Sequence, residues 1–188
     1  MNGQQARLEV HPARQFSTAV LHDFLQGIRL LGEPQRAALR NLVEFWGSIG
    51  DLSRLPRRED FEPQQILNIL PNVFMFDVLA DNALRYRLVG STLVDHLPYD
   101  PTGKVITADE MHECIVGSAK VARDIVHYQR PVVARGRIAK DEYLSWDIMA
   151  TAMPLGDEAG NTSVVFGVAF VLTTPSFAST AVIEHELL

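Results

Sequence analysis

Several short stretches of this sequence bring catalytic residue types together, but each lacks a residue that its chemistry needs. His112 and Glu113 begin like the helical zinc-protease motif, yet the second histidine would stand at Val116. Gly103 and Lys104 are similar to the end of a phosphate-binding loop, but a proline occupies the position of its first glycine. The sequence also has no G-x-S-x-G serine motif and no glycine-rich dinucleotide fingerprint. These patterns predict no catalytic residue and no metal site.

Four remaining side chains have the chemistry of a general acid or base in a buried site. They are Asp77, Asp95, His96 and Asp147. Their spacing along the chain singles out no pair. Because these groups could act in catalysis, a small cavity enzyme, either an isomerase or a hydrolase, is the alternative hypothesis. A polar pocket with two titrating groups within hydrogen-bond reach would favour it.

Five polar or aromatic residues are candidates to contact a ligand. His96 and Tyr99 lie between two predicted elements, where His96 is either a structural histidine, a donor to a ligand or a haem ligand. Tyr86 and Trp146 lie in predicted strands, where each is either core or cavity lining. Arg87 also lies in a strand, and on a covered face it needs an acidic partner, a carbonyl or an anionic ligand.

The composition predicts a cytoplasmic protein. The net charge is −6 in 188 residues, which argues against broad nucleic-acid binding. The single cysteine, Cys114, excludes an intramolecular disulfide and fits a reducing compartment. The N-terminus has no secretory signal pattern, and no apolar run reaches the roughly 20 residues of a membrane span.

The N-terminal part of the chain predicts two amphipathic helices. The first runs from Ser17 to Leu31, and its apolar stripe consists of Val20, Leu21, Phe24, Leu25, Ile28 and Leu31. The second begins near Pro34, and its stripe consists of Leu39, Leu42, Val43 and Trp46. The six apolar side chains of the first helix need a surface to cover. That surface is either the sheet of the same chain or the same helix of a second subunit, and we expect a homodimer.

The remaining chain predicts two groups of strands joined by a helix. A helical turn from Gln64 to Leu70 precedes a hairpin of strands Val73–Leu79 and Leu84–Val89, in which Leu84, Tyr86 and Leu88 share a face. A short helix near Leu93 follows. A capping box at Thr107–Glu110 opens a long helix that Pro131 ends, with Met111, Ile115, Ala119, Ala122 and Val126 on its buried face. The last strands are 132–139, 143–155 and 162–172.

This order predicts an α+β fold. We expect a five-stranded antiparallel sheet with helices on one face, plus the N-terminal amphipathic helices. The predicted segments are a flexible N-terminus (1–16), a helical extension (17–50), the α+β domain (51–174) and a C-terminal tail (175–188) with a short helix near Val182.

Short motifs in the same order support a family resemblance. They are Trp46, a proline-arginine loop at 52–63, a leucine-proline pair before Val73, the run Tyr86-Arg87-Leu88-Val89-Gly90-Ser91-Thr92, and Thr102-Gly103. Over about residues 39–172 the chain resembles a family of stand-alone PAS-like proteins found mainly in alphaproteobacteria. The resemblance implies a five-stranded PAS-like sheet and a sensory or regulatory role. It supplies no ligand.

The leading functional hypothesis is therefore a single-domain PAS-type regulatory protein and not an enzyme. A small molecule would occupy a cavity, and dimerisation or a signalling partner would transmit the change. Cys114 is expected to be a packed thiol, and it lacks the sequence context of the flavin-linking cysteine in light-sensing PAS proteins. No flavin is therefore predicted.

Overall fold

The computed structural model describes residues 31–49, 54–60, 63–80, 83–106, 118–176 and 184–187. The α-helices are α1 (Glu33–Ile49), α2 (Ser91–Val94) and α3 (Ser118–Tyr128), and 3₁₀ helices span Arg58–Asp60 and Pro63–Asn72. The strands are β1 (Val73–Val78), β2 (Leu84–Val89), β3 (Val105–Ile106), β4 (Val132–Ala139), β5 (Ser145–Gly156), β6 (Thr162–Ser176) and β7 (Glu184–Leu187). None of the described helices is long and apolar enough to cross a membrane.

The strands form one antiparallel sheet in the order β3-β2-β1-β6-β5-β4-β7. The five predicted strands are its centre, and the structure adds a short strand at each edge. β7 pairs its four residues with Val132–Arg135 of β4, so this part of the predicted tail is a strand. The predicted helix near Val182 lies outside the described residues. A two-residue β3 and a four-residue β7 are too short to show a periodic pattern in the sequence.

The outer face of the sheet, which faces α1, is covered as the apolar stripe predicts. Leu39, Leu42, Val43 and Trp46 are all buried, and they pack in one cluster with side chains of β5 and β6 such as Met153. The Trp46 Nε1–H donates to the carbonyl oxygen of Pro154 at 2.8 Å. This bond satisfies the one polar atom of the indole while its rings remain in the core.

Leu31 is buried in the same cluster, with 4% of its surface exposed. It is the one residue of the predicted first stripe that lies within the described part of the chain. Val20, Leu21, Phe24, Leu25 and Ile28 lie outside it.

The inner face of the sheet, which is the opposite face, is covered by α2 and α3. Val121, Ala122 and Ile125 are the buried side chains of α3, whereas Val126 is half-buried, so the buried stripe is centred one residue earlier than predicted. The capping box, Met111, Ile115 and the Ala119 side chain lie outside the described residues. Gln129 ends the helix in the left-handed region with φ of 52°, and its N–H donates to the Ile125 carbonyl.

The β1–β2 hairpin contains a β-bulge that the alternating pattern does not reveal. Met75 pairs with Leu88 and Phe76 with Tyr86, so Arg87 is the extra residue of β2. Leu88 is consequently exposed and does not share the face of Tyr86, which corrects the prediction. The preceding 3₁₀ helix also continues through Pro71 to Asn72 and does not stop at Leu70.

Candidate functional site

A cavity of about 100 Å³ lies between the inner face of the sheet and the layer formed by α2 and α3. The sheet side of the cavity is formed by β1 and β2 and by β4, β5 and β6. Leu93 of α2, the following Leu97, and Val121 and Ile125 of α3 line it on the helical side. The site is therefore built from both strand groups and from the helices that connect them.

Small residues on three neighbouring strands create this space. Ala134 of β4 is the register partner of Ala150 of β5, which in turn pairs with Ala169 of β6. All three line the cavity, as do Gly136 and Ala152 on the same face. Because side chains alternate between the faces of a strand, the small residues lie side by side under the helices. A row of larger side chains here would fill the space.

Aromatic rings form the wall on the side of β1 and β2. Phe74, Phe76 and Tyr86 line the cavity, and the Phe76 and Tyr86 rings have centroids 4.5 Å apart. Phe74 meets Phe76 edge to face at 5.8 Å. The Phe74 ring lies against Gly167, where a Cβ atom would be only 2.6 Å from Phe74 Cε2. Gly167 therefore sets the position of this ring.

The side chains that line the cavity are almost all apolar. Arg137 is the charged residue among its described lining, and its Nε donates to Asp147 Oδ1 at 2.9 Å. None of Asp77, Asp95, His96 and Asp147 lines the cavity. Nor does any group of three His, Cys, Asp or Glu side chains in the described residues have metal-site geometry. This lining can hold an apolar molecule by burial and dispersion.

The structure places one of the five predicted ligand contacts, Tyr86, in the cavity lining. His96 instead contacts Trp146 edge to face, with 4.5 Å between the ring centroids. The His96 Nδ1 lies 2.6 Å from the Thr92 carbonyl oxygen, and because a carbonyl only accepts, Nδ1 is the donor. Tyr99 stacks under the Lys104 ammonium at 3.7 Å from its ring centroid.

The fifth candidate, Arg87, forms an ion pair on the outer face of the sheet. Its Nη1 donates to Asp77 Oδ1 at 3.0 Å, and Arg85 donates to Asp77 Oδ2 at 2.7 and 3.1 Å. Burial of Asp77 would raise the pKa of its carboxyl, but hydrogen bonds from Arg85 and Arg87 outweigh burial and hold the pKa below its usual range. The acidic partner that Arg87 requires is therefore Asp77.

Most of the cavity lining consists of small and aliphatic side chains, which a prediction based on polar and aromatic residues does not identify. The available signal is the alternation of small residues, with Ala134 and Gly136 in β4, Ala150 and Ala152 in β5, and Ala169 in β6. Alternating small residues at buried strand positions leave room that large side chains would take.

A family model described as a PAS domain matches residues 35–170. A search of curated proteins found no match. The similar solved structures include the light state of the blue-light photoreceptor Aureochrome1 LOV. It is 13% identical, with a TM-score of 0.42 over 58% of this chain and 88% of that one.

Two other similar structures are also LOV proteins. The Rhodobacter sphaeroides LOV protein is 14% identical, with a TM-score of 0.42 over 60% of this chain and 69% of that one. An RNA-binding light-oxygen-voltage receptor is 12% identical, with a TM-score of 0.42 over 59% of this chain and 33% of that one. At these identities and scores the likenesses carry no argument about ligand or activity.

Proposed function

The chain belongs to the PAS domain family, and from this premise we propose that it is a sensory and regulatory module that binds a small apolar molecule. The observation that carries the proposal is the apolar cavity, which residues of both strand groups and of both inner helices line. A ligand there would contact side chains of both helices. Its binding energy can therefore favour one arrangement of α2 and α3 over another.

The size of the cavity limits the class of ligand. Its volume of about 100 Å³ is well below the roughly 300 Å³ at which sites for drug-sized molecules begin. An apolar protein cavity of about 150 Å³ is sufficient for benzene. We therefore propose a compact apolar or singly polar molecule of this order of size, in preference to a flavin or a haem.

The polar groups of the site support a regulatory role better than a catalytic one. Asp77 and Asp147 each pair with arginine side chains, and Asp95 is exposed. A general base must lie within hydrogen-bond reach of the substrate proton that it accepts. None of the four candidate groups lines the cavity. The cavity enzyme gains no support from this geometry.

We further propose that non-covalent association, in a homodimer or with a signalling partner, transmits the change that ligand binding causes. Leu31 is buried in the core cluster with side chains of α1, and the other residues of the predicted stripe precede it in the sequence. The stripe Val20, Leu21, Phe24, Leu25 and Ile28 is the candidate interface. One apolar stripe used twice is sufficient for a symmetric dimer.

Native mass spectrometry of the full chain, purified from its own host, tests the ligand proposal. We expect an added small mass on the wild-type protein. The mass should be absent from an Ala150→Leu variant, which fills the row of small residues, and retained by Ala159→Leu, which lies exposed in the β5–β6 loop. A wild-type protein without bound mass, or equal retention in both variants, would contradict the proposal.

A further inference from the structure

The outer face of β2 and β3 carries exposed basic and apolar side chains. The side chains of Arg85 and Arg87 are 49% and 41% exposed. Leu88 and Val105 are 40% and 43% exposed, among the five large apolar residues that the described structure leaves open to solvent. Val105 is the register partner of Arg85, and Leu88 follows Arg87, so the four residues form one basic–apolar patch.

The charges of the patch are incompletely balanced. Arg85 and Arg87 together direct three N–H donors to the single carboxylate of Asp77. Two guanidinium groups carry about ten N–H donors between them, in a geometry that suits a carboxylate. The trio has a net charge of +1, because two arginines face one aspartate, in a chain whose net charge is −6.

The bulge in β2 places the side chains of Arg87 and Leu88 on the same exposed face of the sheet. In a regular strand Arg87 and Leu88 would point to opposite faces. Arg87 is the extra residue between the pairs Met75–Leu88 and Phe76–Tyr86, and both Arg87 and Leu88 are exposed. Bulges commonly re-aim side chains at functional edges of sheets.

We infer that the basic–apolar patch docks a short segment of a partner protein in which acidic and apolar side chains alternate. Carboxylates of the segment would take up the free guanidinium donors of Arg85 and Arg87. Its apolar side chains would cover Leu88 and Val105, which otherwise remain in water. A nucleic acid would need a wider basic surface than two arginines around one aspartate.

The patch lies on the opposite face of the sheet from the cavity, and strand β2 carries residues of both. Phe76 and Tyr86 line the cavity on the inner face, and their chain neighbours Asp77, Arg85 and Arg87 form the ion pairs on the outer face. Docking of the segment does not itself require a bound ligand, so it is testable on the ligand-free chain.

Fluorescence anisotropy with a labelled ten-residue peptide of alternating glutamate and leucine tests the inference on the full chain. We expect saturable binding, and little binding of a control peptide in which glutamine replaces glutamate. Arg87→Gln should weaken binding roughly two- to fivefold, the range expected for one partly exposed ion pair. Arg54→Gln is the matched control, because the Arg54 side chain is equally exposed at 41% and pairs with Asp60 elsewhere.

Asp77→Asn supplies a second variant with the opposite expected sign. Removing the competing carboxylate leaves both arginines free for the peptide, so binding should strengthen although a native ion pair is lost. Circular dichroism establishes that each variant is folded, and Arg85→Gln replaces Arg87→Gln if the latter is not. Equal binding of the two peptides, or equal effects of Arg87→Gln and Arg54→Gln, would overturn the inference.

Discussion

The ring of Phe74 lies against the Cα atom of Gly167 on the neighbouring strand β6, with no room for a side chain between them. A Cβ atom at position 167 would lie 2.6 Å from Phe74 Cε2 and 2.7 Å from Cε1. The strands place the two residues as register partners, so the β1–β6 pairing holds their backbones in place and only the Phe74 side chain can move to relieve the contact. The glycine therefore sets where one wall of the cavity stands.

Gly167→Ala should lower the free energy of unfolding by about 1–3 kcal/mol, because the added methyl group forces Phe74 out of its position. Denaturant unfolding measures this change. Gly47→Ala is the control, since Gly47 is exposed within α1 and alanine there should stabilise by about 0.5–1 kcal/mol. A neutral Gly167→Ala variant would show that the Phe74 wall is not fixed by this contact.

The stability of the chain should depend on pH through Asp77. The folded-state pKa of this carboxyl lies below its unfolded value, so the unfolded state binds more protons as the pH falls. The stabilisation is complete above about pH 4 and is lost as the pH falls through the lowered folded pKa. Asp77→Asn should therefore cost about 1 kcal/mol at pH 7, a modest value because both arginines are half exposed.

Urea unfolding at several pH values measures that difference between wild type and Asp77→Asn, which should shrink towards zero near pH 2. Asp95→Asn serves as a control, because Asp95 is exposed and its substitution should change stability at pH 7 by less than about 0.5 kcal/mol. A difference that persists unchanged at pH 2 would rule out the ion pairs as its cause.

The predicted dimer interface is testable without truncating the chain. Phe24→Glu places a charge in the middle of the apolar stripe and should convert a dimer to a monomer at tens of micromolar, as measured by light scattering. Gln26→Glu adds the same charge between the stripe positions and should leave the dimer intact. A monomeric wild-type chain would contradict this mechanism of association.

Local patterns were sufficient to predict the elements that pack by a regular period. The stripe of α1 is buried at all four predicted positions, and β4 runs from Val132 to Ala139 as predicted. A helix that buries one face and a strand bounded by Pro131 both leave a periodic signal in the sequence. The fold class followed from the order of these elements.

Features that depend on the register between strands could not be predicted in the same way. The bulge at Arg87 appears only when β2 is paired with β1, so the prediction that Leu88 shares a face with Tyr86 was wrong. The cavity depends on Ala134, Ala150 and Ala169 meeting across three strands. Alanine contributes little to hydrophobic periodicity, and its effect here is the space that it leaves.

The binding of xenon to the full chain, followed by the backbone amide resonances of residues 150, 152 and 169, tests the apolar cavity most directly. Xenon is a compact apolar atom that binds in dry apolar cavities of proteins and is smaller than benzene. We expect saturable shifts at these three residues in the wild-type protein and none in Ala150→Leu, which should stay folded because its added atoms enter free apolar space. The absence of saturable shifts at these alanines, or shifts of equal size in Ala150→Leu, would contradict a ligand-binding cavity in this PAS domain.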